Sequence, residues 1–144
     1  MKLDKNLRKK MLGLLPFDEN SIEKYTPKEF SNKDIPEDFK PIFHLKPWNQ
    51  EQKDNAVLIA QKMIDGDDSK KIELNKQLND SVRFNVIDIE RLYDLGKNEF
   101  IKVEKEEGCI SISTWKSIPK TTQSSIYYCL SSISGLTTGE TMGL

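Results

Sequence analysis

The 144-residue chain has one histidine, two cysteines and seven scattered glycines, and each scarcity closes off a chemistry. A nucleophilic pair needs a base beside a thiol or hydroxyl. His44 is the single imidazole, and it lies between Phe43 and Leu45 in an apolar run. Neither Cys109 nor Cys129 carries a local signature of a cysteine enzyme. His44 is therefore read as a structural residue, and a small enzyme using it with either cysteine is the subordinate reading. A structural zinc site needs four ligands, usually as two close pairs, and this inventory does not supply them. The glycines form no G-x-G-x-x-G or Walker pattern. Serines crowd residues 111–134, but none stands in G-x-S-x-G. A calcium loop starting at Asp65 would need glycine where Lys70 stands and glutamate where Lys76 stands. Asp65-Gly66-Asp67-Asp68 is then a solvated turn between helices. No catalytic residue, cofactor or metal is expected.

Long apolar runs are also missing. Nothing approaches the ~20 residues that span a bilayer. Met11–Leu15 is too short for a signal-peptide core, and Pro16-Phe17-Asp18-Glu19 is no cleavage site. The expectation is a protein that stays in a reducing cytoplasm, with both cysteines as thiols. Charge of one sign is absent too: 22 basic and 23 acidic side chains leave a net −1. No global field attracts nucleic acid or an acidic membrane. The local exception is Lys2, Lys5, Arg8, Lys9 and Lys10, read as a solvated helix face rather than a nucleic-acid footprint.

What is present is polar and patterned. Charged residues make up 31% of the chain, above the usual ~25%, so some segments are exposed or await a partner. Leu3, Leu7, Met11, Leu14 and Leu15 recur at helical spacing over residues 1–15. A helix this short is marginal alone in water, so it needs a surface to lie on. Residues 17–37 read as a polar extended connector. Tyr25 and Phe30 flank Pro27 there, touching either the core or a groove.

Residues 39–45 read as a strand with Phe39, Phe43 and Leu45 on one face, and Pro41 places it at a sheet edge. Asn49 caps a helix over 49–65, whose stripe is Ala56, Val57, Ala60, Met63 and Ile64, with Gly66 as its stop. Further helices are expected over 69–79 and 82–95. The second has a strand alternative at its start, since Val82 to Ile89 partly alternates. Residues 100–114 read as a hairpin turning at Glu107-Gly108. Pro119 opens a helix over 120–134 with the stripe Ile126, Cys129, Leu130 and Ile133, and Gly135 ends it. Thr137-Thr138-Gly139-Glu140 fits a capping box, with Met142 and Leu144 as anchors beyond it. Trp48 and Trp115, each at the end of a strand-like segment, are read as sealing the core, with interface anchoring as the alternative.

The expected fold class is α+β. A small antiparallel sheet from 39–45 and the 100–114 hairpin packs against three to four helices. Residues 1–37 form an N-terminal amphipathic arm and 38–144 the globular domain. The candidate protein-binding residues are Leu3, Leu7, Met11, Leu14, Leu15, Met142 and Leu144.

Three stretches carry a family resemblance. Ile35-Pro36-Glu37-Asp38-Phe39-Lys40-Pro41-Ile42-Phe43-His44-Leu45 resembles an opening strand of the form acidic-Pro, then Pro-x-F-x-L. Ile101-Lys102-Val103-Glu104-Lys105-Glu106-Glu107-Gly108 is similar to a W-x-x-acidic-x-x-Gly hairpin. Ile118-Pro119 through Ser134-Gly135-Leu136-Thr137 to Glu140, and on to Gly143-Leu144, resembles a Pro-started helix followed by S-x-L-T-x-x-E. All three are patterns of small tailed-bacteriophage morphogenesis proteins, including tail assembly chaperone-like proteins. The resemblance implies a viral, non-enzymatic factor in the host cytoplasm that binds other phage structural or assembly proteins; an N-terminal arm used for swapping or clasping would also make a homo-oligomer. A structural virion component, such as a decoration, connector or tail completion protein, is the alternative. No family site residue transfers.

Overall fold

A computed structural model describes residues 21–66 and 68–136. The arm helix, with Leu3, Leu7, Met11, Leu14 and Leu15, and the tail with Met142 and Leu144 lie outside the described residues. The fold is α+β, with four α-helices and small antiparallel sheets among the described residues. Among the described residues no helix is long and apolar enough to cross a membrane.

The main sheet has the order β1 (Glu23–Tyr25), β2 (Ile42–Leu45), β3 (Val86–Glu90), antiparallel throughout. In β2 the period of two puts Phe43 and Leu45 in the core and leaves Ile42 and His44 half-buried. Phe43 faces Ile89 and Leu45 faces Val86. Two steps along β2 thus match three along β3, and the irregularity between His44 and Leu45 absorbs the extra residue. That bulge explains how Val86 and Ile89 are both buried at an odd spacing.

Two expectations change here. β2 is the central strand, not an edge, because Pro41 lies just before the ladder, where its missing N–H costs nothing. Its carbonyl accepts from Thr26 Oγ1 at 2.9 Å. The strand partners of β2 are also not in 100–114. One is β1, inside the stretch read as a connector, and the other is β3, inside the stretch read as a helix over 82–95. Tyr25 packs against the core and Pro27 is buried, so this part of the connector belongs to the domain. The division expected between residues 37 and 38 falls within the single helical turn Glu37–Phe39.

Helix α1 (Gln50–Asp65) starts as expected. Asn49 Oδ1 accepts from Gln52 N at 2.8 Å and Gln52 Oε1 accepts from Asn49 N at 3.0 Å, a reciprocal cap. Its buried face is Ala56, Ile59 and Ala60, whereas Ile64 of the expected stripe is exposed. Gly66 follows with no room for a side chain, since a Cβ there would sit 2.9 Å from the Lys62 carbonyl.

Helix α2 (Asp68–Arg83) is longer than the expected 69–79 and swallows Val82. It buries Leu78, Val82 and Arg83 near its end. The chain then turns at Asn85, whose buried amide donates to the Lys46 carbonyl at 2.7 Å while Lys46 N donates to the Asn85 carbonyl at 2.9 Å. This cross-chain clamp ends the helix and aims Val86 along β2. The spacing of Val82, Val86, Ile89 and Tyr93 mimics a helix only because a bulge separates the last core positions.

The Glu107-Gly108 turn is present, joining β6 (Lys105–Glu106) to β7 (Cys109–Ile110). Both turn residues have positive φ, +53° and +83°, as the primed two-residue hairpin turn requires. The rest of 100–114 is not that hairpin. Phe100 pairs elsewhere, and residues 112–114 belong to helix α3 (Ile112–Ser117), started by Ser111 Oγ accepting from Thr114 N at 3.1 Å. The serine alternation that reads as strand is a helix cap.

Helix α4 (Lys120–Ile133) runs as expected and buries Ile126, Tyr127, Leu130 and Ile133. Gly135 sits at φ +83°. Gly135 N donates to the Ser132 carbonyl and Leu136 N to the Ser131 carbonyl, the paired bonds of a Schellman stop. Trp48 and Trp115 are both buried, so core sealing is their role. Trp48 Nε1 donates to the Ser81 carbonyl at 3.0 Å, and its ring meets Tyr127 edge-on at 5.9 Å.

Candidate functional site

The residues singled out for chemistry are all engaged structurally. His44 Nε2 lies 2.7 Å from Glu90 Oε2 across the β2–β3 ladder. That hydrogen bond holds the Glu90 carboxyl below its ordinary value. Cys109 is buried and its thiol is pushed up, first by burial, against the opposing Arg83 charge. Arg83 spans 3.6 Å to Cys109 Sγ and 3.0 Å to the Ile110 carbonyl. A thiol raised in this way is a poor nucleophile. Cys129 is partly buried against the core, and neither cysteine is in a disulfide. Among the described residues no group of three or more His, Cys, Asp or Glu side chains is placed to hold a metal ion.

The feature that the core does not explain lies at one end of the sheet. After β3 the chain reverses at Arg91, whose φ of +60° is unusual for a residue with a side chain. Arg91 Nε donates to the Lys40 carbonyl at 3.2 Å, fastening this reversal to the segment before β2. A small hairpin follows, β4 (Tyr93–Asp94) with β5 (Glu99–Phe100), in which Tyr93 faces Phe100. Core residues anchor its base: Leu92 is buried, and its carbonyl accepts from Ile101 N at 2.7 Å. Asp94 Oδ1 accepts from Gly96 N at 2.8 Å and Lys97 N at 3.3 Å, which shapes the tip.

Phe39 comes to this hairpin from the helical turn Glu37–Phe39. It meets Tyr93 edge-to-face with ring centroids 4.9 Å apart, Tyr93 meets Phe100 likewise at 5.0 Å, and Phe39 stacks on Phe100 at 5.8 Å. The rings are mutually ordered yet open to solvent, with Phe39 39% and Phe100 49% exposed. Leu95, at the hairpin tip, is 82% exposed. Single exposed apolar residues are ordinary, whereas a contiguous exposed aromatic group resembles the composition of interface centres.

Sequence reasoning did not find this group. It placed Phe39 on the buried face of a strand, where Phe43 and Leu45 indeed lie, and Tyr93 on a helix. Pro36 and Pro41 bracketing Phe39 were the available signal, since a Pro-bounded segment is poorly suited to a sheet interior.

No protein-family model, curated protein or solved structure matches the chain.

Proposed function

We propose that the chain is a non-catalytic assembly protein, a chaperone or adaptor that binds a tail or head component during phage morphogenesis. The observation that carries the protein-binding part is the Phe39–Tyr93–Phe100 cluster, ordered but uncovered. Its three rings supply apolar area at little conformational cost, because each has few rotatable bonds and is already held by its neighbours. The phage context rests on the resemblance of the three sequence stretches.

The test is co-expression of the full chain with the products of the neighbouring head and tail genes, followed by affinity recovery. A virion component should copurify with the native chain and be lost with Phe39→Ser/Phe100→Ser. Recovery of no virion component contradicts the proposal. Finding the chain at fixed copy number in purified particles replaces the chaperone reading with that of a structural virion component.

A further inference from the structure

A cleft of about 210 Å³ lies between α2, α3 and α4. It shares no residue with the aromatic cluster and stands apart from the proposed function. Its composition departs from that of the chain. Charged residues make up 31% of the sequence, yet of the eleven described residues that line the cleft only Lys120 is charged. Leu78, Val82 and Trp115 are buried and supply an apolar part of the wall. Most of the rest is amide and hydroxyl. Helical spacing assembles it: Asn75 and Asn79 are one turn apart on α2, and Lys120, Ser124 and Tyr128 recur every four residues on α4, with Gln123 beside them.

Two of the amides are fixed through nitrogen. Gln123 Nε2 donates to the Trp115 carbonyl at 2.9 Å, and Asn79 Nδ2 donates to the Asn75 carbonyl at 3.0 Å. Each keeps its side-chain oxygen as an acceptor. Tyr128 is half exposed, and the Tyr127 ring meets it edge-on at 5.4 Å.

These groups sort ligands by charge. A cation finds no carboxylate among the described wall residues. An anion meets two fixed amide oxygens against one lysine. A neutral ligand rich in hydroxyls suits both kinds of group. Its O–H groups donate to the amide oxygens, and its oxygens accept from Lys120 and from the Ser124 and Tyr128 hydroxyls. Its ring C–H groups suit an aromatic face, where the π-cloud is negative. We propose that this cleft binds a neutral sugar ring, either free or as one unit of a glycan. Size agrees, because about 210 Å³ falls below the ~300–1,000 Å³ of pockets for drug-sized ligands, which limits the occupant to a single ring.

The test is a titration of the isotope-labelled full chain, followed by amide NMR shifts. The probes are the methyl glycosides of glucose, galactose, mannose and N-acetylglucosamine. At least one should move the amides of 75–79 and 123–128, with a dissociation constant on the order of 1 mM, the scale for so small a ligand. Tyr128→Ala should weaken that binding about tenfold and leave the urea midpoint native. Benzoate, a planar anion, should leave the same amides unmoved. The matching linear oligosaccharide separates the two sources: tighter binding than the single ring assigns the site to a glycan, and equal binding assigns it to a free sugar. No shift from any glycoside at about fifty times the expected constant overturns the site. So do equal shifts from benzoate, or binding that Tyr128→Ala leaves intact.

Discussion

The molecule has two aromatic groups built from the same kinds of residue, and they meet opposite fates. Trp48, Trp115 and Tyr127 are buried in the core, and Trp48 has no exposed surface. Phe39, Tyr93 and Phe100 also pack against one another, with ring centroids 4.9–5.8 Å apart, but Phe39 and Phe100 stay exposed. The first group is held by long-range polar bonds as well as packing: Trp48 N donates to Ser134 Oγ at 2.8 Å, across most of the chain. The second is held by a short hairpin and one helical turn. The difference separates residues that the fold requires from residues that the fold merely presents.

The largest way to break the core side of that comparison is Trp48→Ala. Removing a fully buried large aromatic costs about 4 kcal/mol, a major fraction of the ~5–15 kcal/mol that holds a domain folded. The urea midpoint should collapse, or the chain should fail to fold at all. Asn85→Ala comes next. It strands the Lys46 carbonyl and the Gln52 amide that Asn85 now serves, at about 2 kcal/mol, and the same denaturation curve measures it.

A pH series sharpens the comparison with a smaller effect. Burial pushes Tyr127 and Tyr25 up to about 12. Because the folded pKa values are raised, their contribution is fully present below the unfolded value near 10 and is lost as pH rises from there toward 12. Ultraviolet titration should show both phenolates appearing late, and Tyr127→Phe should remove part of the alkaline loss of stability. Glu90 gives the smallest effect, at the acid end. Its pKa is lowered by the hydrogen bond to His44. What it contributes is present above the ordinary carboxylate value and is lost as pH falls through the depressed one. Glu90→Gln should therefore differ most from the native chain at neutral pH and converge with it in acid, as read by urea unfolding at stepped pH.

The parts of the fold legible in the sequence are those set by local chemistry. Asn49 with Gln52 starts α1, Pro119 and Gly135 bracket α4, and Glu107-Gly108 turns a hairpin. In each case the signal and the structure lie within a few residues of one another. Elements fixed from a distance were illegible. Glu23-Lys24-Tyr25 has no pattern of its own and becomes a strand because β2 offers a free edge. Val86–Glu90 is a strand because Asn85 clamps it to Lys46, and the bulge gives its core residues a helix-like spacing. The aromatic cluster was missed for the same reason: Phe39 and Phe100 lie far apart in the chain, and only Arg91 and the β4–β5 hairpin bring them together.

The central claim is that the uncovered rings serve binding and not folding. Its most direct test is Phe39→Ser/Phe100→Ser, with stability and partner affinity measured on the same preparation. The account predicts a stability loss of about 1 kcal/mol, the scale of an exposed aromatic contact. It also predicts a loss of affinity on the order of thirtyfold or more, the scale of an interface hot spot of about 2 kcal/mol. A stability loss matching that of Trp48→Ala, with affinity unchanged among the molecules that remain folded, would contradict it.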